Sequence, residues 1–276
     1  MKAYVQLIRP LNCIMVAAAV FIGALIAKGL GVLEVHYLEV SIACSVAFLF
    51  TGAGNSLNDY YDRDIDRVNH PQRPIPSKKL SPLRAVWIAF VLFFISLCLA
   101  LFINSVAFLI VVANLAVMLS YEIFFKVKGA AGNLTISWLT ATAFLFGGAA
   151  VGGMEKTLVL GILAFLATLG REIAKDIEDI RGDTNRNTLP MKYGTKKAGV
   201  FASFFMALGV IISPIPIITG IFPGQGSMYY TPIIGVADAI FIYSIVILLR
   251  EKNKASTPIK GAMLIALFAF LAGGIL

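Results

Sequence analysis

Nine stretches of about 20 mostly apolar residues, each long enough to cross a bilayer as a helix, leave this chain of 276 residues little scope to fold in water. They run roughly over 12–28, 38–58, 82–103, 105–125, 132–152, 157–177, 197–221, 231–249 and 258–276. Hydrophobic residues make up 59% of the chain and charged residues 14%, against about 25% charged in a soluble domain. The pattern predicts an all-α integral membrane protein, nine transmembrane helices bundled into a single polytopic domain over 1–276. Ser213-Pro214-Ile215-Pro216 predicts a kink in the seventh span, and Asn104 marks a tight turn between the third and fourth.

Charge gives the orientation. Of the 23 Lys and Arg residues, 21 fall in alternate loops if the N-terminus is cytoplasmic, and only Lys28 and Lys156 fall on the other side. Positive residues stay inside, so the N-terminus is expected in the cytoplasm and the C-terminus outside. The same distribution argues that the net charge of +8 serves membrane topology rather than nucleic-acid binding. A signal peptide is the rival reading of the first span, but Ala24 to Ala27 makes a poor cleavage site, and the segment is kept as a helix. Cys13, Cys44 and Cys98 sit inside apolar runs without ligand spacing, and His36 and His70 have no His or Cys partner nearby. Neither a disulfide frame nor a transition-metal site is indicated.

Two cytoplasmic loops, 59–81 and 176–197, are long and charged, and long loops are usually functional or disordered. The first opens Asn55-Ser-Leu-Asn58-Asp59-Tyr60-Tyr61-Asp62-Arg63-Asp64-Ile65-Asp66-Arg67, the second Arg171-Glu172-Ile-Ala-Lys175-Asp176-Ile-Glu178-Asp179-Ile-Arg181-Gly182-Asp183. Both carry D-x-x-D-x-x-x-D: Asp59, Asp62 and Asp66, then Asp176, Asp179 and Asp183, each offset by 117 residues. Four spans separate them, as a duplicated half-bundle (about 1–130 and 131–276) would require. Each loop reads as a span running out of the membrane into a cap.

On one helix, positions i, i+3 and i+7 fall within an arc of about 60° and rise about 10 Å. Three carboxylates so placed repel one another unless a cation lies between them. Oxygen ligands without His or Cys favour Mg²⁺ or Ca²⁺, and Mg²⁺ is usually held by one or two carboxylates plus substrate phosphates. Two facing clusters would hold a diphosphate through Mg²⁺, with Arg63, Arg67, Arg73, Lys78, Lys79, Arg171 and Lys175 as counter-charge. For a single acidic run, a solvated face paired with neighbouring Arg explains as much; two runs of identical spacing at span ends do not fit that reading. The substrate expected is a lipid diphosphate with its tail in the bundle. Were the tail allylic, C–O cleavage would give a cation that aromatic faces stabilise, and Tyr60, Tyr61 and Tyr121 lie at the right depth.

With these residues set out, the chain resembles the UbiA superfamily of membrane-embedded prenyltransferases. Asn58, Asp59, Asp62 and Asp66 match its first signature, N-D-x-x-D-x-x-x-D; Asp179 and Asp183 match its second, with Asp176 one turn earlier; and Arg73-Pro74-Ile75-Pro76 resembles the segment after the first. The resemblance implies a bundle around a central cavity, open to the membrane, that binds Mg²⁺ and an isoprenyl diphosphate. It makes Asn58, Asp59, Asp62, Asp66, Asp176, Asp179 and Asp183 the metal-site residues, with Asp62, Asp66, Asp179, Asp183 and Tyr121 catalytic. Asn55, Arg63, Arg67, Arg73, Arg171 and Lys175 join the diphosphate site, as does a lysine after the fourth span. The family spacing there is Y-x-x-x-K; here Tyr121 is followed by Lys126 and Lys128, so either lysine fits. The N-terminal Leu7-Ile8-Arg9-Pro10-Leu11-Asn12-Cys13 is similar to an archaeal branch that adds a geranylgeranyl group to geranylgeranylglyceryl phosphate, the second ether bond of archaeal lipids. Arg9 and Asn12 would meet that acceptor, although Arg9 reads equally well as a plain cytoplasmic anchor.

Other readings stay open beside these. A quinone-type aromatic acceptor is possible within the family. An ion-coupled transporter is the rival from another class, but its charges would line a mid-membrane path, and only Asp238 lies deep. A CDP-alcohol phosphotransferase would carry a D-G-x-x-A-R signature, which is absent. Asp238 itself is read as a structural hydrogen-bonding group or a protonated carboxyl rather than a functional one. Gly52 and Gly54 permit either close helix approach or a bend.

Overall fold

The computed structural model describes residues 2–126, 129–180, 187–222, 224–250 and 254–275. Among these there is no strand, and nine helices of 16 to 25 residues carry the fold. They are α1 (Pro10–Lys28), α2 (Tyr37–Tyr61), α3 (Pro82–Ala100), α4 (Ser105–Ser120), α5 (Ala130–Ala150), α6 (Leu158–Asp179), α7 (Thr195–Ile212), α8 (Gln225–Leu249) and α9 (Ser256–Ile275). Eight of the expected crossings are helices long and apolar enough to span a membrane. The remaining one, 132–152, is α5. It has 21 residues but falls outside the apolar set, because Asn133, Thr135, Ser137, Thr140 and Thr142 interrupt it. A central position explains this composition: α5 packs against α1, α2, α4 and α6, so much of its surface never meets lipid.

The α1–α5 crossing joins two groups of helices, α2–α4 on one side and α6–α9 on the other. Glycines bring the two backbones into contact there. A side chain at Gly23 would press into the Phe144 carbonyl, and one at Gly147 into that of Val20, so only glycine lets the helices meet. At the end remote from the acidic segments, Lys156 Nζ donates to the Ala27 carbonyl (3.2 Å) and caps α1. The turn at Asn104 forms as expected. Its Oδ1 accepts from Ala107 N (2.8 Å), while its Nδ2 donates to the carbonyls of Ala149 (3.0 Å) and Ala150 (3.2 Å). That one side chain caps α4 and ties it to the end of α5. The proline pair ends α7 at Ile212, and a short helix, Ile215–Ile218, completes the crossing.

The first acidic segment differs from a single uninterrupted helix. α2 ends at Tyr61, and Asp62 (φ −84°, ψ 1°) joins it to a second helix, Arg63–Asn69. Backbone bonds from Asp62 N to Asn58 O (2.9 Å) and from Asp66 N to Asp62 O (2.8 Å) carry the chain across the bend. The following segment is anchored from below: Ile75 and Leu80 are buried against Leu7 and Ala85. Gly52 and Gly54 lie within the continuous helix α2, where an added Cβ would meet Ile8 and Met118. They serve close approach, not bending.

Candidate active site

The acidic motif forms where α2 leaves the bundle, and three basic side chains from distant parts of the chain converge on it. Asp59 is buried, as is Asp66. Arg9 Nη2 donates to Asp59 Oδ1. Arg73 Nη1 donates to Asp66 Oδ2 at 2.5 Å and lies 3.7 Å from Asp59 Oδ1. Lys126 Nζ lies 2.9 Å from Asp62 Oδ1 and 2.8 Å from Glu122 Oε2. Arg9 reaches inward because it stands in the left-handed region (φ 55°) between the helix Lys2–Ile8 and α1. Asn55 supports that turn by donating to the Ile8 carbonyl (2.8 Å).

Of the two candidate lysines, Lys126 lies among the described residues and stands beside the motif. Tyr121–Phe125 is a π-helical turn continuing α4, closed by Lys126 N to Tyr121 O at 2.9 Å. A π-turn holds one residue more than an α-turn, so Y-x-x-x-x-K here sets the lysine over the tyrosine as Y-x-x-x-K would on an α-helix. Lys126 Nζ lies 5.7 Å from the Tyr121 ring centre. Lys128 lies outside the described residues, as does Asp183.

Other expected residues take other places. Arg63 stacks over Tyr60 (4.6 Å) and donates to the Tyr60 carbonyl (3.0 Å), with Asp64 3.8 Å away. Arg67 pairs with exposed Asp64 at 3.2 Å. Both therefore sit on the outer face of the motif helix, and Lys78 and Lys79 are exposed on the cap. On α6, Asp176 Oδ2 accepts from Asn133 Nδ2 (2.8 Å), Asp179 is exposed at the helix end, and Arg171 Nη1 donates to Glu172 Oε1 (2.6 Å). Arg171 Nε is buried with no hydrogen-bond partner.

Below these groups lies a cavity of about 400 Å³. Arg9, Asn12, Asn55, Asn58, Tyr121, Arg171 and Lys175 line its polar end, and Val16, Val20, Phe50, Val111, Leu139 and Phe146 its apolar depth. Glu122 and Asn133 meet motif residues although motif spacing does not point to them. Each is the charged or amide side chain in its stretch of an expected span, paired with a motif residue 64 or 43 positions away. A polar residue costing free energy inside an apolar span was the only available signal.

The donor set suits a divalent cation. It consists of oxygens, with one, Asp59 Oδ2, buried and lacking a hydrogen-bond partner, as a hard ion requires. Among the described residues no three acidic side chains close into a cage, but Mg²⁺ bound through phosphates requires only one or two.

A bundle of membrane-spanning helices, with an acidic and basic cluster beside a cavity of polar rim and apolar depth, defines a multi-pass membrane protein with one charged site at the end of the bundle. The sequence profile of the UbiA prenyltransferase family matches residues 16–271, and the chain belongs to that family. It is 38% identical to the digeranylgeranylglyceryl phosphate synthase of Methanococcus maripaludis strain C7, over 99% of this chain and 98% of the relative. A solved structure concerning a digeranylgeranylglyceryl phosphate synthase superposes with TM-score 0.80 at 38% identity, covering 99% of this chain and 98% of that one. A UbiA homologue from Archaeoglobus fulgidus, solved with DMAPP and Mg²⁺, shares the fold at TM-score 0.71 and 18% identity, with 98% and 97% coverage.

Proposed function

We propose that this chain transfers a geranylgeranyl group from geranylgeranyl diphosphate to the free hydroxyl of geranylgeranylglyceryl phosphate, using Mg²⁺. The observation that carries the reading is that Arg9 (paired with Asp59), Asn58 (next to Asp59 in the motif) and Tyr121 (beneath Lys126) line the polar end of a cavity whose depth is apolar. The likeness to relatives named for this synthesis favours this acceptor over an aromatic one.

Asn58, Asp59, Asp62 and Asp66 from the first segment, with Asp176, Asp179 and Asp183 from the second, would hold the metal, which when bound neutralises charge on the departing diphosphate. The chain's own cations do related work: Arg73, released from Asp66, and Lys126, released from Asp62 but still held by Glu122, donate to diphosphate oxygens. The C1–O bond of the prenyl donor breaks, and its electron pair leaves with the diphosphate. The face of Tyr121, lining the cavity, stabilises the allylic cation. The acceptor oxygen attacks C1 and gives its proton to the released diphosphate. Arg171 and Lys175, on the cavity wall, would add counter-charge for the diphosphate, and Arg9 and Asn12, at its polar end, would meet the acceptor phosphate. The proposal includes nine crossings with α5 among them, a cytoplasmic N-terminus and active site, and an origin by duplication of about 1–130. The 21 basic residues gathered on one side support that orientation.

The test uses purified protein in liposomes with labelled geranylgeranyl diphosphate and either geranylgeranylglyceryl phosphate or an aromatic acid. Label should pass only to the glyceryl phosphate and only with Mg²⁺; transfer to the aromatic acid alone overturns the acceptor. Asp62→Ala should abolish turnover, and full activity in that variant overturns the site. Reporter fusions at each terminus check the orientation.

A further inference from the structure

The mechanism leaves one buried acid without a task. Glu122 has a fully buried side chain (0% exposed) between two groups of the site. Its Oε1 accepts from Asn58 Nδ2 at 3.1 Å, and its Oε2 accepts from Lys126 Nζ at 2.8 Å. A carboxylate only accepts hydrogen bonds, while a primary amide has one donating and one accepting end. With Nδ2 committed to Glu122, the accepting oxygen of Asn58 is turned to the other side, and Asn58 lines the cavity. The same carboxylate keeps the Lys126 ammonium beside Asp62 rather than leaving it to swing on its flexible stem. Glu122 and Lys126 stand four residues apart at the π-turn, so one carboxylate reaches both the lysine and, on the neighbouring helix, Asn58.

We propose that Glu122 is a positioning residue: it orients the Asn58 amide so that its oxygen faces the metal–diphosphate, and it fixes Lys126 for the same headgroup. The proposal rests on the diphosphate reading above. Partners that orient ligands in this way are worth about 10- to 100-fold in metal affinity when removed.

The amide's two unlike ends allow a reciprocal test. Asn58→Asp sets two carboxylates against each other, and Glu122→Gln takes the charge from Lys126 and puts an amide where a carboxylate accepted. Combined, Asn58→Asp/Glu122→Gln restores a donor–acceptor pair, now with the amide at position 122 donating and an oxygen at position 58 still facing the cavity. The readout is thermal stabilisation of the protein by geranylgeranyl thiolodiphosphate, titrated with Mg²⁺, beside turnover and the melting temperature without ligand. Wild-type protein must first show Mg²⁺-dependent stabilisation, and if it does not, the diphosphate reading itself falls. Given that, each single variant should need about 10-fold more Mg²⁺, and the double variant should recover most of the loss. Should Glu122→Gln fail to fold, Glu122→Asp, which keeps the charge but shortens the reach to Asn58, is expected to show the same weakened loading. Unchanged Mg²⁺ dependence in the Glu122 variant, or a double variant no better than the worse single, overturns the proposal.

Discussion

Replacing Gly147 by Ala should damage both stability and prenyl transfer, although it touches no charged group. A Cβ built there lies 2.8 Å from the Val20 carbonyl carbon and 3.0 Å from Ala24 N, and closer still to the Val20 oxygen. Carbon atoms pack best at about 3.5–4.0 Å, so the carbon contact alone would part α1 and α5 by about 0.7 Å, and the closer Val20 oxygen demands more. Neither neighbour is a flexible side-chain tip; both are helix backbone, which yields only by moving the helix. Overpacking of this kind costs about 1–3 kcal/mol. The movement reaches function because α1 and α5 also wall the cavity, through Val16 and Val20 on one side and Ala143 and Phe146 on the other. Gly261, in α9, has nothing within 4 Å of a built Cβ, and Gly261→Ala is the matched control, with a helix-propensity gain of up to about 1 kcal/mol. Melting in detergent and transfer in liposomes would be compared for Gly147→Ala, Gly23→Ala and Gly261→Ala. If Gly147→Ala melts and turns over like the control, the glycine crossing does not set the cavity and the reasoning fails.

Lys126→Gln should lower turnover by about 100-fold, as losing a donor to developing charge does, whereas Lys128→Gln should stay near wild type; equal losses would undo the assignment drawn from the π-turn. Glu178→Gln should cost about 1 kcal/mol, read by thermal melting, because Glu178 caps α9 by accepting from Ser256 N (2.8 Å) and Ser256 Oγ (2.6 Å). Deleting Phe124, an exposed residue of the π-turn, should leave an ordinary α-turn with Tyr121 and the lysine still aligned, and retain far more transfer activity than deleting Ala116 in α4. Loss as complete as that of the Ala116 deletion would refute it.

Much of the fold was legible because a bilayer restricts the choices. Apolar length located the crossings, and proline and Asn104 located the breaks. α5 was the least apolar of the expected spans for the same reason that it is central: helices surround it, so Asn133 and Thr142 find protein partners. Asp238 makes a hydrogen bond within the bundle, accepting from Ser213 Oγ (2.6 Å), while the Tyr230 hydroxyl donates to the Ser213 carbonyl (2.7 Å). Arg9, balanced in the sequence between anchor and site residue, is drawn in by Asp59. That pairing spans 50 positions and depends on a left-handed turn that no local pattern announces.

What stayed hidden shares one physical cause. A motif counts residues, whereas a site is assembled by turns, and the two scales agree only while each turn keeps its usual length. In the first acidic segment they agree, since backbone bonds bridge the bend at Asp62 and the carboxylates keep nearly helical spacing. After α4 they disagree by one residue, and the π-turn absorbs the difference on the face carrying Ile123, Phe124 and Phe125, all exposed. An extra residue there swells the turn outward rather than into the bundle, so the insertion is tolerated where it shows most in the sequence and matters least in the site. The same turn brings Glu122 against Asn58, a contact between segments 64 residues apart. Spacing alone therefore recorded an irregularity at the turn that brings both Lys126 and Glu122 to the first acidic motif.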